Sequence, residues 1–115
     1  MNTNLVAEDH GNLTPEECVK AQELTIPELL TLFGFQLIVK SNTNRPDQYK
    51  CERYFNLNTS LYGVQTRIRA IFAEHHQDGT CDLKIEWKRF ICLNTVELAS
   101  RLKRIEMVSK PITGG

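Results

Sequence analysis

The chain has 115 residues, 41% of them hydrophobic and 24% charged, with 14 bases against 14 acids. That composition is a soluble globular one, with room for one core but not comfortably for two. The zero net charge argues against a general nucleic-acid binder, and no apolar run reaches the ~20 residues that cross a bilayer.

The first 13 residues are polar and expected to be flexible. They lack the basic-then-apolar pattern of a secretory leader. Thr14-Pro15-Glu16-Glu17 predicts a helix start: Thr as cap, Pro where its missing N–H costs nothing, and Glu closing a capping box. Thr25-Ile26-Pro27-Glu28 repeats the signature, so Pro27 divides two helices, over 15–24 and 26–33. Gly34 is the expected left-handed stop.

Beyond Gly34 the apolar period becomes two. Phe35, Leu37 and Val39 are predicted on one side of a first strand, and residues 41–48 are a loop by composition. Tyr49, Cys51, Phe55 and Leu57, together with Arg53, share one face of a second strand. Residues 58–63 connect to a long hairpin. Val64, Ile68, Ala70 and Phe72 are its predicted inward set on one arm, with Leu83, Ile85 and Trp87 on the other. Asp78-Gly79 supplies the turn. The alternation slips at residues 89–91, predicting a bulge or a strand end. Asn94-Thr95-Val96-Glu97 predicts a third capping box, opening a helix whose apolar stripe is Leu98, Leu102, Ile105 and Val108.

The expected architecture is therefore α+β: a two-layer sandwich with an antiparallel sheet of about four strands. N- and C-terminal helices pack on one face. One domain is expected over 14–109, with a flexible tail over 110–115. The other sheet face is expected to be open and to carry Lys50, Glu52, Arg67, Arg69, Lys84, Glu86 and Lys88.

Charge is unevenly placed. Residues 1–35 carry six acids and only Lys20, while residues 36–115 carry 13 bases and 8 acids. The densest basic stretch gives six candidate anion-binding residues: Lys84, Lys88 and Arg89 at the end of the last strand, and Arg101, Lys103 and Arg104 on the last helix. An anionic surface rewards each base by about 1 kcal/mol. Glu86, Glu97 and Glu106 interleave with them, as on an ordinary solvated face.

Other constellations are weaker. His75 and His76, with Glu74, Asp78 and Cys81, resemble a list of metal ligands, but adjacent residues on a strand point to opposite faces, so both imidazoles cannot readily share an ion; no metal site is expected. No nucleophile elbow, Gly-rich phosphate loop or segregated carboxylate pair is present, so no catalytic residue and no cofactor is expected. Arg53, Tyr54, Arg67 and Arg69 are the candidates for stacking on nucleic acid, a partner the neutral composition disfavours. The four cysteines, at 18, 51, 81 and 92, form no C-x-x-C pair. They read as reduced core residues of a cytosolic or nuclear protein. The sequon matches at Asn12 and Asn58 are short enough to arise by chance. The terminal Gly114-Gly115 follows a helix rather than the strand that leads into a ubiquitin-like tail.

Four stretches carry a family resemblance: "LLTLFGFQLIVK", "DQYKCER", "CDLKIEWKRF" and "NTVELASRLKRI". In order and pattern, residues 26–108 resemble the kinase-associated domain found at the C-termini of several Ser/Thr kinases. The resemblance implies helix, four-stranded antiparallel sheet, helix; no catalysis; and either anionic-phospholipid binding, peripheral at a membrane, or contact with a protein partner. The six basic residues named above sit where the lipid surface would be.

Overall fold

A computed structural model describes residues 13–40, 46–55, 68–85 and 88–111. Expectations for the segment before Leu13, residues 41–45, the connection over 58–63, Leu57, Val64, Arg67, Glu86, Trp87 and Gly114-Gly115 lie outside these residues.

Among the described residues, three helices and six strands follow one another: α1 (Pro15–Gln22), α2 (Ile26–Leu32), β1 (Gln36–Val39), β2 (Asp47–Phe55), β3 (Ile68–His75), β4 (Cys81–Ile85), β5 (Lys88–Cys92), α3 (Thr95–Val108) and β6 (Ser109–Pro111). The chain is α+β with an antiparallel sheet.

The helix starts form as their sequences require. Thr14 and Thr25 each accept from the backbone N–H of the Glu three residues on, and each Glu side chain returns the bond to its cap. At α3 the box is shifted: Asn94 accepts from Glu97 N, but Glu97 Oε1 accepts from Leu93 N. Gly34 ends α2 at φ +91°, where a β-carbon is strained.

The strands run in the order β1-β2-β3-β4-β5, and β6 pairs with β2 beyond the end of β1. The sheet has more than the four strands expected, for two reasons. Ile85 pairs antiparallel with Lys88, so the expected final strand is two, β4 and β5. Where a flexible tail was expected from residue 110, Ser109–Pro111 continues α3 as β6.

One sheet face is buried. It carries Tyr49, Cys51, Arg53 and Phe55 of β2, Ile71 and Ala73 of β3, Cys81, Leu83 and Ile85 of β4, and Cys92 of β5. Leu29 and Leu30 of α2 and Leu98, Leu102 and Ile105 of α3 complete the same core. Leu13, expected to be frayed, packs against it.

The phase of β3 is opposite to the expected one. Ile71 and Ala73 are fully buried, and Phe72 of the expected inward set is 39% exposed. Both frames of "RIRAIFA" carry apolar residues, so alternation alone does not choose. Pairing does: Cys51 meets Ile71, and Ile71 meets Ile85. Arg69 therefore lies on the buried face, opposite Arg53, and not on the open face as expected. Leu37 and Val39, also expected inward, are exposed, because β1 is an edge strand whose register shifts between them.

Candidate functional site

The structure divides the six predicted basic residues among three places. Lys84 and Arg89 are cross-strand neighbours on the open face. Lys88 pairs with Ile85, whose side chain is in the core, so it falls on the opposite face and cannot join Lys84 as expected. It shares that face with Phe90, over whose ring the Arg101 guanidinium sits at 4.3 Å. Arg104 follows one turn along α3. Lys103 points toward α1, where Nζ lies 2.6 Å from Glu17 Oε1. The expected single basic edge is therefore not formed as one surface.

On the open face the charges are arranged in rows set by strand register. One row runs Gln36, Lys50, Phe72, Lys84, Arg89; the next runs Gln48, Glu74, Asp82, Ile91. Lys84 and Arg89 of the first row reach the acids of the second. Lys84 Nζ is 3.2 Å from Glu74 Oε1. Arg89 donates to Asp82 Oδ2 from both Nε, at 2.9 Å, and Nη2, at 2.6 Å. Gln48 Nε2 donates to Glu74 Oε2 at 3.0 Å. Lys50 sits 5.9 Å from the Phe72 ring centre and 3.5 Å from Glu52. With Lys103 on Glu17, three of the six candidate anion binders are thus held by this chain's own carboxylates.

The same row places Glu74 and Asp82 directly opposite each other. His76, two residues after Glu74 and on the same side, brings Nε2 to 3.5 Å from Asp82 Oδ2. One ligand atom from each of these three residues falls within 4.8 Å of the others. Along the sequence Glu74, Asp78 and Cys81 stand beside His75-His76 as possible ligands; the one missed is Asp82, which joins across the hairpin. Spacing of two within a strand, closed by the Asp78-Gly79 turn that sets Asp82 opposite Glu74, was the signal available.

The sheet ends differently at its two edges. β5 presents Lys88 and Arg89, charges that discourage another strand from pairing there. β1 is Gln-Leu-Ile-Val, all four exposed, with Leu37, Ile38 and Val39 at 47%, 48% and 38%. It carries no charge of its own. Between β1 and β6, along the β2 edge, lies an open cavity of about 390 Å³ lined by Gly34, Gln36, Ile38 and residues 50–53. A smaller apolar groove, about 190 Å³, runs between the helices past Leu24, Leu32 and Phe33.

Of the described nucleic-acid candidates, Arg53 and Arg69 meet across the buried face, away from Tyr54. Arg53 is buried and donates to Ser109 Oγ, while Tyr54 is on the open face. The cysteines are free; Cys51, Cys81 and Cys92 are buried, and Cys18 is half-buried. Burial pushes the Cys81 thiol up to about 12 and the Cys92 thiol up to about 11. Among the described residues no helix is long and apolar enough to cross a membrane. Compared with protein-family profiles, curated proteins and solved structures, the chain finds no match.

Proposed function

We propose that the chain is a non-catalytic regulatory binding module whose docking element is the β1 edge, and that its occupant is a short extended apolar segment of a protein partner. The observation that carries this is the uncharged edge strand with Leu37, Ile38 and Val39 exposed, on a sheet whose other edge is guarded by Lys88 and Arg89. An extended segment added there gains main-chain hydrogen bonds, and its alternate side chains take up the exposed apolar ones. Four residues span only about 13 Å at strand rise. A stable dimer needs about 800 Å² from each partner, more than so short an edge supplies, so a peptide fits better than a second copy. The cavity beside Gln36 and Ile38 extends the same edge.

In this reading the fold is two-layered, with the helices over one sheet face and the paired rows of charge over the other. Four buried or half-buried reduced thiols favour a cytosolic or nuclear location. A protein partner is one of the two uses that the kinase-associated resemblance implies.

Anionic-lipid or phosphate binding is the second reading. Lys88 on β5 and Arg101 and Arg104 on α3 favour it, since α3 packs against β5.

The test is a selection of random peptides displayed on phage against the chain, with Ile38→Lys as the counter-target, beside flotation with phosphatidylserine vesicles across a salt series. Enrichment of extended apolar peptides that fail to bind Ile38→Lys is expected. Peptides that bind both equally, or none at all, would overturn the edge reading. Salt-sensitive flotation lost when Lys88, Arg101 and Arg104 become Glu would establish the second reading instead.

A further inference from the structure

We infer that Glu74, His76 and Asp82 form a site for a divalent transition-metal ion of the zinc class, on the open face of the sheet at the β3–β4 hairpin. The inference does not depend on what binds β1.

Like charges directly opposite on neighbouring strands repel. Glu74 and Asp82 stand in that relation, and Asp82 is only 3% exposed. A carboxylate withdrawn from water at that depth requires cationic partners. Side chains supply part of this. Arg89 holds Asp82, and Lys84 holds Glu74. Both are long arms, with side chains 59% and 39% exposed. His76 brings something different, an imidazole nitrogen aimed at the same carboxylate.

The spacing is the second observation. At 3.5 Å, His76 Nε2 and Asp82 Oδ2 are too far apart for a good hydrogen bond. Two donors about 2.1 Å from a tetrahedral ion stand about 3.4 Å apart. With the three ligand atoms all within 4.8 Å, a small inward turn of the Glu74 side chain completes a three-cornered cup. One nitrogen and two carboxylate oxygens leave a fourth position for water, the open arrangement that zinc accepts.

The outer partners fit this role. Gln48 holds Glu74 Oε2, fixing its orientation as the outer partner of a metal ligand does, whereas Arg89 donates twice to Asp82 Oδ2, the oxygen facing His76, and has to swing aside when an ion enters. Lys84 is the other group an entering ion displaces, since its ammonium occupies Glu74 Oε1. Competition with that ammonium makes the site weaker than a zinc finger.

The test is titration of the reduced, full-length chain with Zn²⁺ by calorimetry, repeated with Co²⁺ read by visible absorption. One Zn²⁺ per chain is expected, with Co²⁺ giving the intense bands of a tetrahedral centre. Outer partners of metal ligands contribute about 10–100-fold in affinity, so His76→Ala, which removes a ligand outright, should lose at least that much. Glu74→Gln should weaken binding too, and His75→Ala should leave it unchanged. Circular dichroism establishes that each variant is folded. No binding by the parent chain would overturn the assignment, as would binding that survives His76→Ala or is lost equally in His75→Ala.

Discussion

Lys103 Nζ lies 2.6 Å from Glu17 Oε1, the oxygen that also accepts from the Thr14 backbone N–H. One carboxylate thus closes the cap of α1 and ties that helix to α3, 86 residues further along the chain. Lys103, a candidate anion binder by sequence, is engaged in holding two helices together.

The pair makes a pH prediction. The hydrogen bond from Lys103, then that from Thr14 N, holds the Glu17 carboxyl below its ordinary value. A carboxyl lowered in the folded state stabilises above its unfolded value, and the contribution is lost as pH falls through the folded one. Lys103→Met should therefore lower the melting temperature at neutral pH. The difference from the parent should close well below the ordinary glutamate value of about 4.3. Both groups reach solvent, so salt should narrow it as well. Thermal melts at two pH values and two ionic strengths check this.

Thiol reactivity should follow burial. Cys81 and Cys92 are directly opposite each other on β4 and β5, both fully buried, and burial raises both thiols far above neutral pH. Burial likewise raises Cys51. Only a thiolate attacks a disulfide reagent. Titration of the native chain with a chromogenic disulfide should release one fast equivalent, from Cys18, and four after denaturation. Cys18→Ser should abolish the fast phase.

Gly34 should resist substitution for a conformational reason. Its φ of +91° is strained for any side chain, whereas a β-carbon there would meet only Cys51 Sγ at 3.9 Å, an ordinary contact. Gly34→Ala should destabilise by about 1–2 kcal/mol, the left-handed backbone penalty. Gly79→Ala, at φ +92° with open space around it, should cost a similar amount. Denaturant unfolding of both variants measures the two costs, and equal losses would place them in the backbone.

Local features were legible because they are written in adjacent residues. The two Thr-x-x-Glu boxes and the Asp78-Gly79 turn need only neighbours a few positions away, and each formed where its residues stand. The stripe Leu98, Leu102, Ile105 is helical period expressed directly as burial. β2 could be read by alternation because only one of its frames is apolar, even though that frame includes Arg53.

Where both frames were apolar, sequence could not decide. β3 offered Ile68, Ala70 and Phe72 or Ile71 and Ala73, and burial against Cys51 and Ile85 selected the second. That choice placed Arg69 opposite Arg53 on the buried face. The same register set Glu74 against Asp82 and paired Arg89 with the acid three strand positions from its own turn. A basic run was visible along the chain, but the partner of each base was not, because cross-strand neighbours are decided by which strands meet. The sequence by itself determined the α+β class, the helix caps and the hairpin turn, through interactions a few residues long. Only the tertiary structure decided the phase of β3, the exposure of β1 and the pairing of charges, since each depends on hydrogen-bond register between segments distant in the chain.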